Sequence, residues 1–481
     1  MNKILLSFFT IVSLSLTSFG QGYKIDFDIK HLDDSVVYLA RYFGDNKYIK
    51  DTIVVNGKEK FSISGKEALP CGIYLLVREK RNAYFEFIIN QQEFKIISDT
   101  SDFIGKTQFV NSPENTQLYD YFRFAGALGK KADQLLKEKK DSTTTAERRT
   151  IIDQELQALN KESEAYKNKF IEEHPENPMS VVFNIQKEVE FPDSILADTT
   201  VLGEMRRYQY YLDHYWDNTD FSSPCVIRSP VFHPKMQRYF DKFIPQHFDS
   251  AIVYIEKLIE KVKGNPELFK YVVQYTSFKW ESGSEKRMCW DKVFHHMATN
   301  YYMKGLCDWT DSVQLAKIES RAKDLKYVLC GDPAVNLKMK YYPTPGLYDT
   351  SGTLHELYKV PSDYIIMWFW DSDCGHCKKQ TPKLWDVYQK YKGEGKSIEV
   401  YAINIEQESK GYKDYLKEHQ YTWLNVQDTG NFSSFRKYYD IYSTPVAYIL
   451  DKERRIIGKR LDPEGIEKFL DQYFKEEEEQ K

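Results

Sequence analysis

From Tyr23 the chain alternates. Tyr23, Ile25, Phe27 and Ile29 are apolar or aromatic, while Lys24, Asp26 and Asp28 between them are charged. A period of two puts one set on one face of a strand, so a half-buried strand is expected here. Similar short runs follow at 36–42, 51–55, 61–64, 72–77, 84–89 and 94–98. Asn56-Gly57 lies between two of them and suits a tight hairpin turn, since both residues tolerate positive φ. Many short strands separated by turn signals predict a β-sandwich over 22–112. No catalytic constellation stands in it, and an accessory or docking role is expected.

From residue 113 the period becomes helical. Ile152, Leu156, Leu159, Tyr166 and Phe170 share one face, and Pro175 ends the run. A second helix is expected from Ser250 through Ile252, Ile255, Ile259 and Val262, with Gly264 as its C-terminal cap. The densely charged stretch 130–149 mixes both signs and reads as a solvated helical hairpin. An α-helical domain is therefore expected over 113–328. His295-His296 invites a metal reading, but adjacent imidazoles point to different helix faces and no carboxylate or cysteine stands at ligand spacing in the sequence. No metal is expected.

The third segment, 329–481, alternates strands and helices, which predicts an α/β layer structure. Strands are expected at 364–370, 398–404, 446–450 and 456–460, and helices at 374–391, 409–419, 432–439 and 463–474.

Length then fits this division: 481 residues suggest about three domains. Sixty-seven basic and 71 acidic side chains leave a net charge of −4, which gives no reason to expect a nucleic-acid partner. At the start, Lys3 precedes an apolar run over 4–16, and Ser18-Phe19-Gly20 supplies small residues at −3 and −1. That order reads as a secretory signal peptide, 1–20, whose apolar run is too short to span a bilayer. An exported protein is expected, in a compartment where disulfides are permitted.

Seven cysteines are too few for a disulfide-stapled scaffold, yet two stand in a spacing that carries chemistry. Cys374-Gly375-His376-Cys377 follows directly from the strand expected at 364–370. On the helix that begins there, the two cysteines lie three apart on one face. Cys374 sits at the helix N-terminus, where unpaired amides and the dipole stabilise negative sulfur, so it is expected to be the attacking thiolate. Cys377, one turn further in, resolves the mixed disulfide. A protonated His376 would lower the Cys374 pKa further and favour the reduced form. A zinc site would need a second cysteine pair at knuckle spacing, which Cys71, Cys225, Cys289, Cys307 and Cys330 do not form. These five are expected to be buried apolar fillers, with at least one unpaired because five is odd.

Some 70 residues on, Tyr442-Ser443-Thr444-Pro445-Val446 places a proline before a strand, a candidate cis peptide. With Phe369-Trp370, the Cys-Gly-His-Cys tetrad, Pro382 and Thr444-Pro445, the third segment resembles the thioredoxin fold of TlpA/ResA-like exported thiol–disulfide oxidoreductases. The resemblance implies that Pro445 faces the cysteines and that the Thr444 backbone pairs with an extended substrate segment. Trp370 is grouped with them as substrate-contacting. It also implies protein thiol or disulfide substrates, a membrane-bound redox donor, a periplasmic location and no cofactor. The tetrad itself is that of protein disulfide isomerases, so histidine favours oxidation or isomerisation while the family favours reduction.

The chain departs from the family pattern in three places. Asp373 replaces the tryptophan before the first cysteine, and its carboxylate opposes the effect of His376. Trp368 stands where thioredoxin has a buried acid. Gln380 replaces a glutamate of the ResA-like group, which removes the usual proton acceptor for the resolving thiol; Asp371 is the nearby alternative. A different class of function also fits the sequence: an exported binding or scaffold protein whose first 330 residues do the work.

Overall fold

The computed structural model describes residues 22–79, 84–281, 287–341, 354–406, 410–428 and 433–479. The expected signal peptide lies outside them. Two compact units form: one reaches to Phe243 and includes Gly264–Leu268, and the other comprises Ile244–Lys263 and Phe269–Lys481. The helical segment read as 113–328 is thus divided between them.

The first unit opens with eight strands: β1 Tyr23–Lys30, β2 Val36–Phe43, β3 Asn46–Val54, β4 Lys60–Gly65, β5 Gly72–Arg78, β6 Tyr84–Ile89, β7 Glu93–Asp99 and β8 Gln108–Val110. They make two four-stranded sheets, ordered β4-β1-β7-β8 and β3-β2-β5-β6. Tyr23, Ile25, Phe27 and Ile29 all point into the core, as their alternation requires, against Leu39, Leu76, Phe87 and others of the second sheet. Asn56 and Gly57 do adopt positive φ, 50° and 73°. The turn they form is not a hairpin, however, because β3 pairs with β2 and β4 with β1. Their amides bond instead to Ser35 O and Asp34 O, and the chain crosses from one sheet to the other.

The outer face of β2, β5 and β6 offers Ala40, Ile73, Leu75 and Ile88 to Leu118, Tyr119, Phe170 and Phe183. Those residues come from helices Pro113–Lys140, Ala146–Glu173 and Pro178–Gln186. The first two form the expected charged hairpin, with Thr145 capping the second through Arg148 N. Of the predicted stripe, Ile152 and Phe170 are the fully buried members.

The disulfide Cys71–Cys225 ties a sandwich loop to a segment 154 residues away. In the second unit Cys289 pairs with Cys330. The expectation that these four cysteines are apolar fillers is therefore corrected. Their separations of 154 and 41 residues carry no local spacing signal. Cys307 remains free and buried, and burial pushes its thiol up to about 12.

The second unit is built on a seven-stranded sheet. Its strands are β9 Lys338–Tyr341, β10 Leu354–Glu356, β11 Tyr364–Trp370, β12 Ile398–Asn404, β13 Leu424–Gln427, β14 Val446–Leu450 and β15 Ile456–Lys459, ordered β10-β9-β13-β12-β11-β14-β15. β11, β12 and β13 run parallel, with β14 antiparallel beside β11. Every residue of β11 is buried, as a central strand covered on both faces should be. Helices Gly375–Gly393 and Pro463–Glu479 cover one face through Leu384, Tyr391, Ile466 and Leu470. Helices Phe248–Val262, Asp291–Met297 and Ser312–Leu325 belong to the same unit.

Candidate functional site

The register of the central strands brings the two sequence motifs together. β11 runs toward the cysteines and β14 runs back from the proline loop, with Phe369 opposite Val446. The residues just after β11 and those just before β14 are therefore neighbours, although about seventy positions separate them. The Cys374 Sγ lies 3.9 Å from the Thr444 carbonyl oxygen. The Thr444–Pro445 peptide is cis, and both residues are half-buried.

Between β11 and the helix, Asp371 Oδ1 accepts the Asp373 amide at 2.7 Å and Asp371 O accepts the Cys374 amide at 3.3 Å. This tight turn sets Cys374 as the N-cap of helix Gly375–Gly393. A thiol is an unusual cap. Here Cys374 Sγ takes the place normally filled by a serine or aspartate oxygen, receiving the Cys377 amide at 3.5 Å. The sulfur thus faces unpaired amides at the positive end of a 19-residue helix.

The two thiols differ sharply. Burial alone pushes the half-buried Cys374 up, but hydrogen bonds from the Cys377 amide and thiol, the Thr444 side chain and the His376 amide bring it below the ordinary cysteine value. Cys377 is wholly buried, and burial pushes its thiol up to about 11, with the Cys374 charge adding to the rise and the Asp371 amide offsetting part of it. Both cysteines are free, so the pair is in its dithiol form.

His376 enters this arrangement differently from the sequence expectation. Its ring is exposed on the first turn, and its contribution to Cys374 comes through the backbone N–H. The Asp373 carboxylate lies 3.4 Å from where a Gly411 Cβ would stand, on helix Lys410–His419.

Trp370 requires a correction. It is 0% exposed, packed edge-on against Tyr412 and Tyr415 at 5.7 and 5.2 Å between ring centres. A ring so enclosed presents no surface to a substrate segment, and its role is packing beneath the site. Trp368 is buried too, its indole N–H bonded to Thr381 Oγ1 at 3.2 Å. No acid occupies that position. His296 bonds Glu256 at 2.6 Å, and among the described residues no group of three His, Cys, Asp or Glu is placed to hold a metal.

A central parallel sheet, two free thiols at a helix N-terminus and a cis-proline loop against the first of them define a thioredoxin-fold redox domain. A family model described as thioredoxin-like matches residues 362–456. Two further models, each described as a domain of unknown function (DUF4369 and DUF5106), match 23–118 and 153–327. The thiol–disulfide oxidoreductase ResA of Bacillus thuringiensis is 23% identical over 160 residues, 31% of this chain and 90% of the relative. A solved domain of a possible thiol-disulfide isomerase from Cytophaga hutchinsonii is 41% identical, covering 31% of this chain and 97% of that one, with a TM-score of 0.28. A solved thioredoxin-like protein from Bacteroides caccae is 18% identical, covering 59% and 97%, with a TM-score of 0.42. The C-terminal segment is a thioredoxin-fold thiol–disulfide oxidoreductase domain preceded by accessory segments.

Proposed function

We propose that this chain is an exported, periplasmic oxidoreductase that exchanges disulfides with protein substrates through Cys374 and Cys377. The observation that carries the reading is the Cys374 sulfur, set as an N-cap with its thiolate stabilised and lying 3.9 Å from Thr444 O. Thr444 and Pro445 keep part of their surface, which leaves room for an extended substrate segment to pair beside the sulfur.

In the reducing direction the Cys374 thiolate attacks one substrate sulfur, and the other leaves as a thiolate that takes up a proton. Cys377 then loses its proton and attacks Cys374 Sγ, releasing the second substrate thiol. The substrate has gained two electrons and the pair is a disulfide. A membrane-bound donor would restore the dithiol; the reverse sequence oxidises a substrate dithiol. With its pKa near 11, Cys377 resolves slowly unless a base takes its proton, and no carboxylate replaces the family glutamate at Gln380. Export is supported by the signal-like start of the sequence and by the two disulfides away from the site. Among the described residues no helix is long and apolar enough to cross a membrane.

Replacing Cys377 with serine tests the reading. The full chain carrying Cys377→Ser should accumulate a reductant-sensitive mixed disulfide with an oxidised polypeptide. Adding Cys374→Ser should abolish it. Absence of any adduct in the single variant would overturn the proposal.

A further inference from the structure

The proline loop does not stand alone. Asp440, five residues before Pro445, has a wholly buried carboxylate. Its Oδ2 accepts Arg321 Nη1 at 2.8 Å and Arg460 Nη2 at 2.5 Å. Arg460 Nη2 also donates to Asp440 O at 2.6 Å, and the Arg460 amide donates to Ala447 O at 2.8 Å, on the far side of the loop. One turn along the same helix from Arg321, Asp324 Oδ2 accepts the Tyr442 hydroxyl at 2.5 Å. Arg321 and Asp324 lie three apart on helix Ser312–Leu325, hence on one face.

Two successive points of the loop are thus fastened to one accessory helix, across 119 and 118 positions of sequence. The hydrophobic cluster under helices Gly375–Gly393 and Pro463–Glu479 includes no residue of Ser312–Leu325. What the two fastenings constrain is the stretch that ends at Thr444 and Pro445, against which Cys374 rests. The Asp440 carboxylate is buried and charge-paired to both arginines, so removing Arg321 leaves it with Arg460 alone and loosens the tie between the loop and the helix.

We propose that helix Ser312–Leu325 is a brace for the substrate-docking loop, with Arg321 and Asp324 as positioning residues acting through Asp440 and Tyr442. The proposal rests on the reading of Thr444–Pro445 as the docking loop. By this account the segment ahead of the thioredoxin domain sets how tightly a polypeptide disulfide is held, and the chemistry stays with the cysteines. Loosening the brace weakens substrate binding first. It also shifts the Thr444 side chain, one of the groups that hold the Cys374 pKa down, so the thiol becomes less acidic.

The test uses the full chain with Arg321→Gln, Arg321→Lys and Tyr442→Phe, measuring KM and kcat on insulin and the pH profile of Cys374 alkylation. Arg321→Gln should raise KM at least threefold with kcat held within twofold, and should slow alkylation at neutral pH by about threefold, the equivalent of half a pKa unit. Arg321→Lys, which keeps the charge, should recover most of both effects. Tyr442→Phe removes only an exposed hydroxyl, so it folds even if Arg321→Gln does not, and it should move both readouts in the same direction by a smaller amount. Wild-type KM and alkylation in Tyr442→Phe and Arg321→Gln would overturn the brace, as would an Arg321→Lys variant no better than Arg321→Gln. If the unaltered protein fails to turn over insulin, the oxidoreductase reading falls, while the alkylation profiles still decide whether the helix positions the loop.

Discussion

Cys374 Sγ and the carbonyl oxygen of Thr444 lie 3.9 Å apart although 70 positions separate them. That distance follows from topology: β14 lies antiparallel to β11, so the chain leaving one strand meets the chain entering the other. The thiol and the loop are held by different elements, and each can be altered separately.

His376 should matter through its amide and not its ring. The ring is exposed, while the backbone N–H is among the groups lowering the Cys374 pKa. His376→Ala should therefore change the neutral-pH alkylation rate of Cys374 by less than about twofold. His376→Pro removes that N–H at a first-turn position where proline is tolerated, and should slow alkylation by about threefold or more. A larger effect from alanine than from proline would assign the influence to the imidazole.

Both remote disulfides should be structural. Cys71→Ala with Cys225→Ala removes a cross-link between residues 154 apart, and Cys289→Ala with Cys330→Ala one between residues 41 apart. Each pair of changes should cost about 2–5 kcal/mol, with the chain-entropy account favouring the larger value for the longer separation. Urea unfolding followed by circular dichroism measures this. Alkylation of Cys374 should be unchanged in the Cys71→Ala, Cys225→Ala protein.

The 36 tyrosines predict sensitivity to alkali. Burial pushes Tyr302 up to about 12, and burial with the neighbouring Glu188 carboxylate pushes Tyr211 up to about 12. Tyr42, Tyr301 and Tyr391 are raised further, each chiefly by burial and then by a hydrogen bond to a carboxylate. A folded pKa above the unfolded value of about 10 means the native state holds its proton more tightly. The contribution to stability is complete below pH 10 and is lost as pH rises toward 12. Tm should fall steeply from pH 9.5 to 11, with tyrosinate absorbance appearing together with unfolding. Full tyrosinate absorbance at pH 10.5 with native circular dichroism would contradict this.

Much of the site was legible because its signals are local. A three-residue cysteine spacing after an apolar strand marks one helix face, and Thr-Pro before a strand marks the cis-proline loop. The alternation in β1 likewise named its core residues correctly. Trp370 was misread because β11 is buried on both faces, so its sequence has no alternation from which an outward side could be told. β13 carries Asn425 and Gln427, both buried, and so lacks an apolar run that would mark it as a strand. The disulfides and the Arg321–Asp440 pair join residues between 41 and 154 positions apart, for which a single sequence holds no spacing rule.

The central claim is that one sulfur of the pair is more acidic than an ordinary thiol and the other less so. Its most direct test is the rate of iodoacetamide alkylation of the reduced full chain from pH 5 to 10, with the modified cysteine located by mass spectrometry. The account predicts a single fast site at Cys374 with a midpoint below the free-thiol value of about 8.5, and no reaction at Cys377 in the native protein. A midpoint at or above that value, or fast modification of Cys377, would contradict it.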